Sequence, residues 1–272
     1  PPPPPPPTPP RWYRRRQRQM CIRDSDWSGW SDYHALNATV THRGRGLVAT
    51  AAYTWGKSTD SKSAAAGIGF NQIGWQGLLD NHDPARDHGL SSFDVAHRFV
   101  ASFVWNLPFG RGERWGPDAS GLKQAIIGGW QLNGIWLWQS GLPMTIWALD
   151  LGGALDTGSG LNRANVVGDV RTGGGTVEEW FNTAAFAQPA LGEYGNSSRG
   201  ILRGPGINNL DLGLFKNFVI GPTTLQLRVE AFNALNHPQY LLVSTFSWVP
   251  NFGVVTVARE ARIVQLGVKL LW

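Results

Sequence analysis

The sequence has little charge and no hydrophobic run long enough to cross a membrane as a helix. Only 16% of its 272 residues are charged, against roughly a quarter in typical soluble domains. A membrane helix needs about 18 or more consecutive apolar residues, and the chain contains no such run. Hydrophobic residues nevertheless make up 42% of the chain, which also has 34 Gly and 14 Trp. Hydrophobicity that is spread along the chain in this way favours alternating β-strands over long helices.

Cysteine is almost absent, and the one that exists lies in an unusual N-terminal stretch. Residues 1–25 are rich in proline and arginine and contain Cys21. One interpretation is a polyproline II arm followed by a basic tail. We prefer a non-native origin, because residues 20–25 match the translation of ATG TGT ATA AGA GAC AG, a sequencing adapter, with a suitable next base. Residues 26–272 are then the domain to be explained, and without cysteine they exclude disulfides and thiolate metal sites.

An excess of one charge is also missing once this stretch is set aside. The whole chain has a formal net charge of +5, from 24 basic and 19 acidic residues. Residues 1–25 hold six of the basic residues and one of the acidic residues, which leaves 18 of each. A neutral domain gives no electrostatic footprint for nucleic acid, so we expect no nucleic-acid partner.

Seven segments alternate between apolar and polar residues with a period of two, as strands with two different faces do. They span residues 33–42, 47–55, 97–107, 130–139, 208–218, 223–233 and 262–272. We expect the fourth to continue through Pro143 as a kinked strand to Ala148. Most are about as long as a tilted strand that crosses a bilayer, about 9–11 residues, whereas soluble strands average about 5–6.

The connections between these segments also differ in length. Residues 43–45 and 219–222 are tight, 57–94, 149–206 and 237–259 are long, and 108–129 is intermediate. Membrane barrels have short periplasmic turns and long external loops, and Trp55, Trp105, Trp130 and Trp272 lie where interfacial aromatic girdles are expected. The sequence predicts an all-β, antiparallel, up-and-down transmembrane β-barrel, here an incomplete fragment of about seven strands with long external loops.

The last strand has a distinctive pattern. An aromatic final residue, Trp272, follows apolar residues at two-residue steps, namely Val264, Leu266, Val268 and Leu270. This resembles the C-terminal signal by which the barrel-assembly machinery recognises outer-membrane barrels. We therefore expect these five residues to act as an assembly signal.

Further blocks resemble TonB-dependent receptors with the large Oar-like barrel, in the order found in that family. They are FDVAHRFVAS at 93–102, LPFGRG at 107–112, GWQLNG at 129–134, QSGLPMT at 139–145, WFNTAAF at 180–186, RGPG at 203–206, DLGLFKNF at 211–218, RVEAFNALNHP at 228–238 and PNFG at 250–253. Together they run from about residue 93 to residue 272.

The resemblance implies transport. Such receptors have a barrel of about 22 strands that encloses a plug domain, and TonB supplies energy for the release of a siderophore, cobalamin or oligosaccharide ligand. The implied partners are outer-membrane lipid, the barrel-assembly machinery, TonB and the small-molecule or oligosaccharide ligand, and the implied location is the bacterial outer membrane. This chain departs from the pattern because it shows no plug and no TonB-contacting box. We interpret it as a truncated fragment.

Candidate ligand contacts follow from the alternation. Asn133, Gln226, Arg228 and Glu230 lie on the polar sides of the fourth and sixth segments. In a transmembrane barrel the polar side lines the lumen. The sequence therefore predicts that these four residues face the lumen and contact the ligand.

Catalytic and metal chemistry is not indicated. The cluster His82, Asp83, Asp87 and His88 matches no zinc spacing and is expected to be a solvated loop. Ser140 is not in a G-x-S-x-G elbow. We expect no enzyme activity, no metal and no cofactor. The alternatives are a soluble carbohydrate-binding β-sandwich, in which tryptophans stack on sugars, and a barrel enzyme.

Overall fold

The structure, a computed structural model, describes residues 29–61, 63, 79–80, 83–155 and 160–272. The N-terminal stretch 1–25 lies outside these residues, and so does His82 of the predicted solvated cluster. None of the helices in the described ranges is long and apolar enough to span a membrane.

Seven long strands form one antiparallel sheet. They are β1 (Ser31–Gly44), β2 (Leu47–Asp60), β3 (His97–Asn106), β4 (Trp130–Gln139), β5 (Ile207–Ile220), β6 (Thr223–Phe232) and β7 (Ile263–Leu271). Each strand pairs with the next in chain order, and the short strand Gly89–Leu90 adds to the end of β2. This up-and-down arrangement confirms the predicted all-β class and the number of long strands.

The strand register separates an apolar face from a polar face. One row crosses the sheet from β2 to β7 through Leu47, Trp105, Leu132, Leu214, Val229 and Leu266. The adjacent row on the other face runs from β3 to β6 through Asn106, Gln131, Phe215 and Arg228. Many side chains of the apolar face are well exposed; Leu266, for example, is 76% exposed. A broad exposed apolar face marks a surface that meets lipid or another apolar partner.

The sheet is open. Among the described strands, β1 pairs only with β2, and β7 pairs only with β6. An unpaired strand edge in hydrocarbon leaves backbone polar groups without partners, so a membrane barrel must close. The open sheet therefore agrees with the predicted incomplete barrel.

One end of the sheet has compact connections, and we refer to it as the inner end. The turn between β1 and β2 consists of Arg45 and Gly46, both with positive φ (50° and 74°). Two positive-φ residues suit the right-handed twist of a two-residue hairpin. Gly221, with φ of 62°, opens the turn between β5 and β6. The intermediate link between β3 and β4 contains helix α1 (Gly121–Ile127).

The connections at the outer end fold together into a cap, which comprises the described residues between β2 and β3, between β4 and β5, and between β6 and β7. The cap contains the 3₁₀ helices Pro84–Asp87, Leu151–Gly153 and Thr183–Ala185 and the strands Pro143–Met144, Trp147–Leu149, Leu161–Arg163, Asn165–Val166, Phe186–Ala187, Leu202–Arg203, Tyr240–Val243 and Val255–Ala258. Its core consists of Met144, Ile146, Ala148, Ala164, Phe181, Ala185, Phe186 and Val243. The predicted long loops thus have a hydrophobic core of their own.

The predicted continuation of β4 through Pro143 is wrong. Strand β4 ends at Gln139, and Pro143–Met144 instead pairs with Leu202–Arg203 in the cap. Proline lacks a backbone N–H and is confined to strand ends and edges. Where the chain leaves the sheet, Gly141 passes so close to Gly204 that a Cβ on Gly141 would lie 1.7 Å from the Gly204 carbonyl oxygen.

Candidate functional site

The four predicted ligand contacts lie on the polar face of the sheet. Arg228 and Gln131 flank Phe215, while Glu230 and Asn133 flank Gly213 in the next row. Gln226 lies one step further toward the inner end, opposite Asn217. Alternation on β4 and β6 alone therefore placed all four residues on the same side of one sheet.

Gln226 and Arg228 form a connected network. The Gln226 amide donates to Asn217 Oδ1 over 2.8 Å, and Arg228 Nε donates to Gln226 Oε1 over 2.6 Å. The Arg228 guanidinium carbon also lies 4.7 Å from the centre of the Phe215 ring, within the range of a cation–π contact. These contacts hold the guanidinium against the wall.

Asn133 and Glu230 lie on either side of a glycine, Gly213. A Cβ on Gly213 would lie 2.6 Å from Asn133 Oδ1, so the side chain of Asn133 occupies the space that the glycine leaves. The Glu230 side chain makes no hydrogen bond or ion pair to any residue in the described ranges. Its carboxylate is free to accept hydrogen bonds from a ligand.

Two clefts open where the polar face meets the cap. The first, of about 580 Å³, lies at the outer ends of β1, β2 and β3, and its lining includes Tyr33, Phe93 and Arg98. The second, of about 430 Å³, lies over β5 and β6, and its lining includes Asp211 and Phe232. Asp211 Oδ1 accepts the Asn233 backbone N–H (2.8 Å) and an Asn209 amide N–H (2.9 Å).

Sequence reasoning missed both clefts. The alternation in β3 does place Arg98 opposite in direction to Phe99, and this could have identified Arg98 as a polar-face residue. The cleft walls, however, include Phe93, Arg259 and Glu260 from the cap. Irregular segments such as these have no periodic pattern that predicts where they fold.

The strand tryptophans lie on the apolar face. These residues are Trp55, Trp105, Trp130, Trp136 and Trp138. Trp55 is near the outer end, whereas Trp105 and Trp130 are near the inner end, which agrees with the predicted girdles. None of these five tryptophans lies on the polar face, where it could stack on a sugar. Trp272 follows the last residue of β7 and is 94% exposed.

The apolar face also carries the other four residues of the predicted assembly signal. Val264, Leu266, Val268 and Leu270 pair in register with Ala231, Val229, Leu227 and Leu225 of β6. The face has one buried cation, Lys216, whose ammonium donates to the Gly128 carbonyl and lies 5.1 Å from the centres of the Trp130 and Phe218 rings. A lysine whose stem follows an apolar surface while its ammonium reaches a polar group is compatible with a lipid-facing position.

The predicted solvated cluster is wrong at one residue. Asp83 and His88 are exposed, but Asp87 is buried, and its carboxylate lies 3.3 Å from Arg163. Burial raises the pKa of Asp87 and lowers that of Arg163, because each charge leaves water. His88 accepts a hydrogen bond from the Trp30 indole. The described part of the chain contains no group of three or more His, Cys, Asp or Glu residues that could hold a metal ion.

A single open sheet with an exposed apolar face, a polar face, compact inner turns and folded outer connections defines the wall of an outer-membrane β-barrel. A comparison with family models agrees: the outer membrane beta barrel domain matches residues 5–265. The chain therefore belongs to this family and is located in the bacterial outer membrane. The soluble β-sandwich interpretation is wrong, because the long strands form one membrane-type sheet.

Two further comparisons add no relative. Neither the search of curated proteins nor the search of solved structures found a match. The family match begins within the stretch 1–25, and the boundary between residues 25 and 26 stays a prediction.

Proposed function

We propose that the chain is part of a TonB-dependent receptor that imports a scarce ligand of the siderophore, cobalamin or oligosaccharide type. The observation that carries this proposal is a polar wall below clefts that open at the cap, with a carboxylate, Glu230, that has no partner among the described residues. Such an arrangement suits a ligand that is captured at the outer end and then passes along the wall.

The motifs that resemble Oar-like receptors also meet one another at the junction of wall and cap. Arg203 of RGPG pairs with Asp94 of FDVAHRFVAS. Ser140 of QSGLPMT accepts a hydrogen bond from the His97 backbone N–H over 3.1 Å. These contacts supply a physical reason for the residues in the motifs and support the resemblance. They also give Ser140 a structural contact with the start of β3.

In this proposal the ligand first contacts the cap and then the wall. Asn133 and Glu230 supply one row of hydrogen-bonding groups, and Gln226 with Arg228 supplies the rows below. TonB would act through the plug region that the resemblance implies.

The first test is to recover the DNA upstream of the codon for Asp26 from the same source. We expect further strands, a plug and a TonB-contacting box in frame. A start codon with a signal peptide directly upstream would contradict the proposal.

The second test is uptake by cells that express the gene completed in this way and lack their own receptors for the ligands. We expect uptake of a labelled ferric siderophore, cobalamin or oligosaccharide that requires TonB and falls in a Glu230→Gln variant. The matched control is Glu113→Gln, which removes the same charge from an exposed position in the inner link between β3 and β4. Equal uptake with and without TonB would indicate a passive pore instead.

We also propose that the barrel-assembly machinery recognises β7 through Val264, Leu266, Val268, Leu270 and Trp272. Its support is the exposed apolar row on an unpaired strand edge. A Trp272→Ala variant should reach the outer membrane in smaller amounts than the parent, as measured by membrane fractionation. Trp115→Ala, in the inner link, is the control, and equal losses in both variants would contradict this role.

A further inference from the structure

The cleft at the outer ends of β1, β2 and β3 combines a cation with two exposed rings. Its wall strands contribute Tyr33, Asn37, Thr54 and Arg98, and residues 93–95 of the cap close one side. Thr54 donates a hydrogen bond to Asn37 Oδ1 over 2.8 Å, and the Asn37 side-chain amide donates to no described residue. The cleft therefore has a polar base beside its charged group.

Arg98 differs in its pairing from three other arginines at the outer end of the sheet. Three other arginines each have a carboxylate partner, in the pairs Arg163–Asp87, Arg199–Asp60 and Arg203–Asp94. The Arg98 side chain is exposed and makes no ion pair or hydrogen bond to a described residue.

The acids that border the cleft do not neutralise Arg98. Asp94 is already occupied, because its carboxylate accepts the Ser58 backbone N–H over 2.6 Å and a hydrogen bond from Arg203. Asp32 and Asn37 are an odd number of positions apart on β1, so their side chains point to opposite faces of the sheet, and that of Asp32 points to the apolar face. Among the described residues, the polar side of the cleft thus carries one uncompensated positive charge.

The two aromatic side chains are unusually accessible for their size. Tyr33 is 64% exposed and Phe93 is 55% exposed. Gly56 gives the tyrosine room, since a Cβ there would lie only 3.3 Å from Tyr33 Cε2. Exposed aromatic groups that border a polar cleft are typical of binding sites that hold a flat or ring-shaped ligand.

We propose that this cleft binds a carboxylate carried on a six-membered ring. The Arg98 guanidinium takes the carboxylate in a two-pronged hydrogen bond, the geometry that arginine offers and lysine lacks. The ring lies against Phe93 and Tyr33, and Asn37 hydrogen-bonds to substituents of the ring. This inference rests on the proposed import function, of which it specifies the ligand chemistry.

The test uses binding rather than transport, with the completed protein in outer-membrane vesicles that lack TonB. The probes are tri-galacturonate, in which the ring is a sugar, and 2,3-dihydroxybenzoate, in which it is aromatic. Equilibrium dialysis should show saturable binding of at least one probe, and which of the two binds identifies the source of the carboxylate. The methyl ester of tri-galacturonate and the amide of dihydroxybenzoate lack the negative charge and should bind at least tenfold more weakly.

Variants then assign the binding to the cleft. Arg98→Gln should weaken binding tenfold or more, and Arg98→Lys should recover only part of the loss. Arg114→Gln removes an arginine from the exposed inner link and should bind like the parent. A difference in gel migration between heated and unheated samples confirms that each variant is folded.

The proposal is overturned if neither probe binds, if the neutral analogues bind equally well, or if Arg98→Gln has no effect. These outcomes are separate from failure of the import proposal. Binding that depends on Arg98 in a protein without TonB-dependent uptake would support the cleft and overturn import alone.

Discussion

The Arg163 guanidinium lies 3.3 Å from the Asp87 carboxylate, although the two residues belong to different connections of the cap. Arg163 also donates to the Arg86 carbonyl over 2.6 Å and to the Ser197 carbonyl over 3.2 Å. Asp87 in turn accepts the Leu79 backbone N–H over 2.7 Å. One buried ion pair therefore connects several segments of the cap.

Breaking this pair should open the cap. Asp87→Ala removes the oxygen atoms that accept hydrogen bonds from Arg163 and from the Leu79 backbone N–H, and removal of one partner of a buried pair costs about 3–5 kcal/mol. Limited proteolysis of the variant in outer-membrane vesicles should cleave the cap much faster than the parent. The control is Asp83→Ala, which breaks the exposed Asp83–Arg86 pair of the same 3.3 Å distance; exposed pairs contribute about 0–1 kcal/mol. Similar sensitivity in both variants would show that burial is not what matters.

The same carboxyl group should make cap stability depend on pH. Burial raises the pKa of Asp87 above its ordinary value of 3.8, so the folded cap holds this proton more tightly than the unfolded chain. The resulting stabilisation is complete below the unfolded pKa and is lost as the pH rises through the folded pKa. Urea unfolding of the cap, followed by fluorescence between about pH 3 and pH 7, should show this loss in the parent and not in Asp87→Asn. A parent that gains stability relative to the variant over this range would contradict the assignment.

The two faces of β7 should respond differently to charge. Leu266 lies in the apolar row and Gln265 pairs with Glu230 on the polar face. Arginine on a lipid-facing strand position near mid-membrane costs about 2–4 kcal/mol, whereas lumenal substitutions are tolerated. We expect Leu266→Arg to lower the free energy of unfolding in lipid vesicles by this amount and Gln265→Arg to change it little. A larger loss of stability in Gln265→Arg than in Leu266→Arg would show that the polar face, and not the apolar face, meets lipid.

Chemical labelling tests the same assignment at a predicted ligand contact. With Cys21 replaced by serine, Asn133→Cys on the polar face should react with a water-soluble maleimide. Leu132→Cys, the adjacent residue on the apolar face, should react only with a lipid-soluble reagent. Reaction of Asn133→Cys with the lipid-soluble reagent alone would show that this residue does not face the lumen.

Gly141 should be intolerant of a side chain. Its missing Cβ would lie 1.7 Å from the Gly204 carbonyl oxygen, so Gly141→Ala forces the two segments apart, at a cost of about 1–3 kcal/mol or more. The urea midpoint of the cap should fall. Gly44→Ala provides the comparison, because the nearest atom to its Cβ would be 3.8 Å away. A midpoint that falls equally in both variants would argue against the close passage.

The residues that the sequence placed correctly are those in periodic segments. Alternation along β6 was enough to put Gln226, Arg228 and Glu230 on one face, because successive strand residues point in opposite directions. It failed at Pro143, where the same alternation continues past the end of β4. There the contact between Gly141 and Gly204 decides the path, and the two residues are far apart in the sequence.

Local patterning by itself therefore determined the seven strands, their two faces and the inner turns, since these depend on neighbouring residues and on backbone geometry. Only the tertiary structure decided the cap, the pairing of Asp87 with Arg163 and the absence of a partner for the Arg98 side chain among the residues that the structure describes. These features depend on which distant segments meet, and no short-range period encodes such meetings. Burial decides which of these charges are paired, because a buried charge without a partner is costly. An exposed charge, such as that of Arg98, stays solvated without a partner and can contact a ligand.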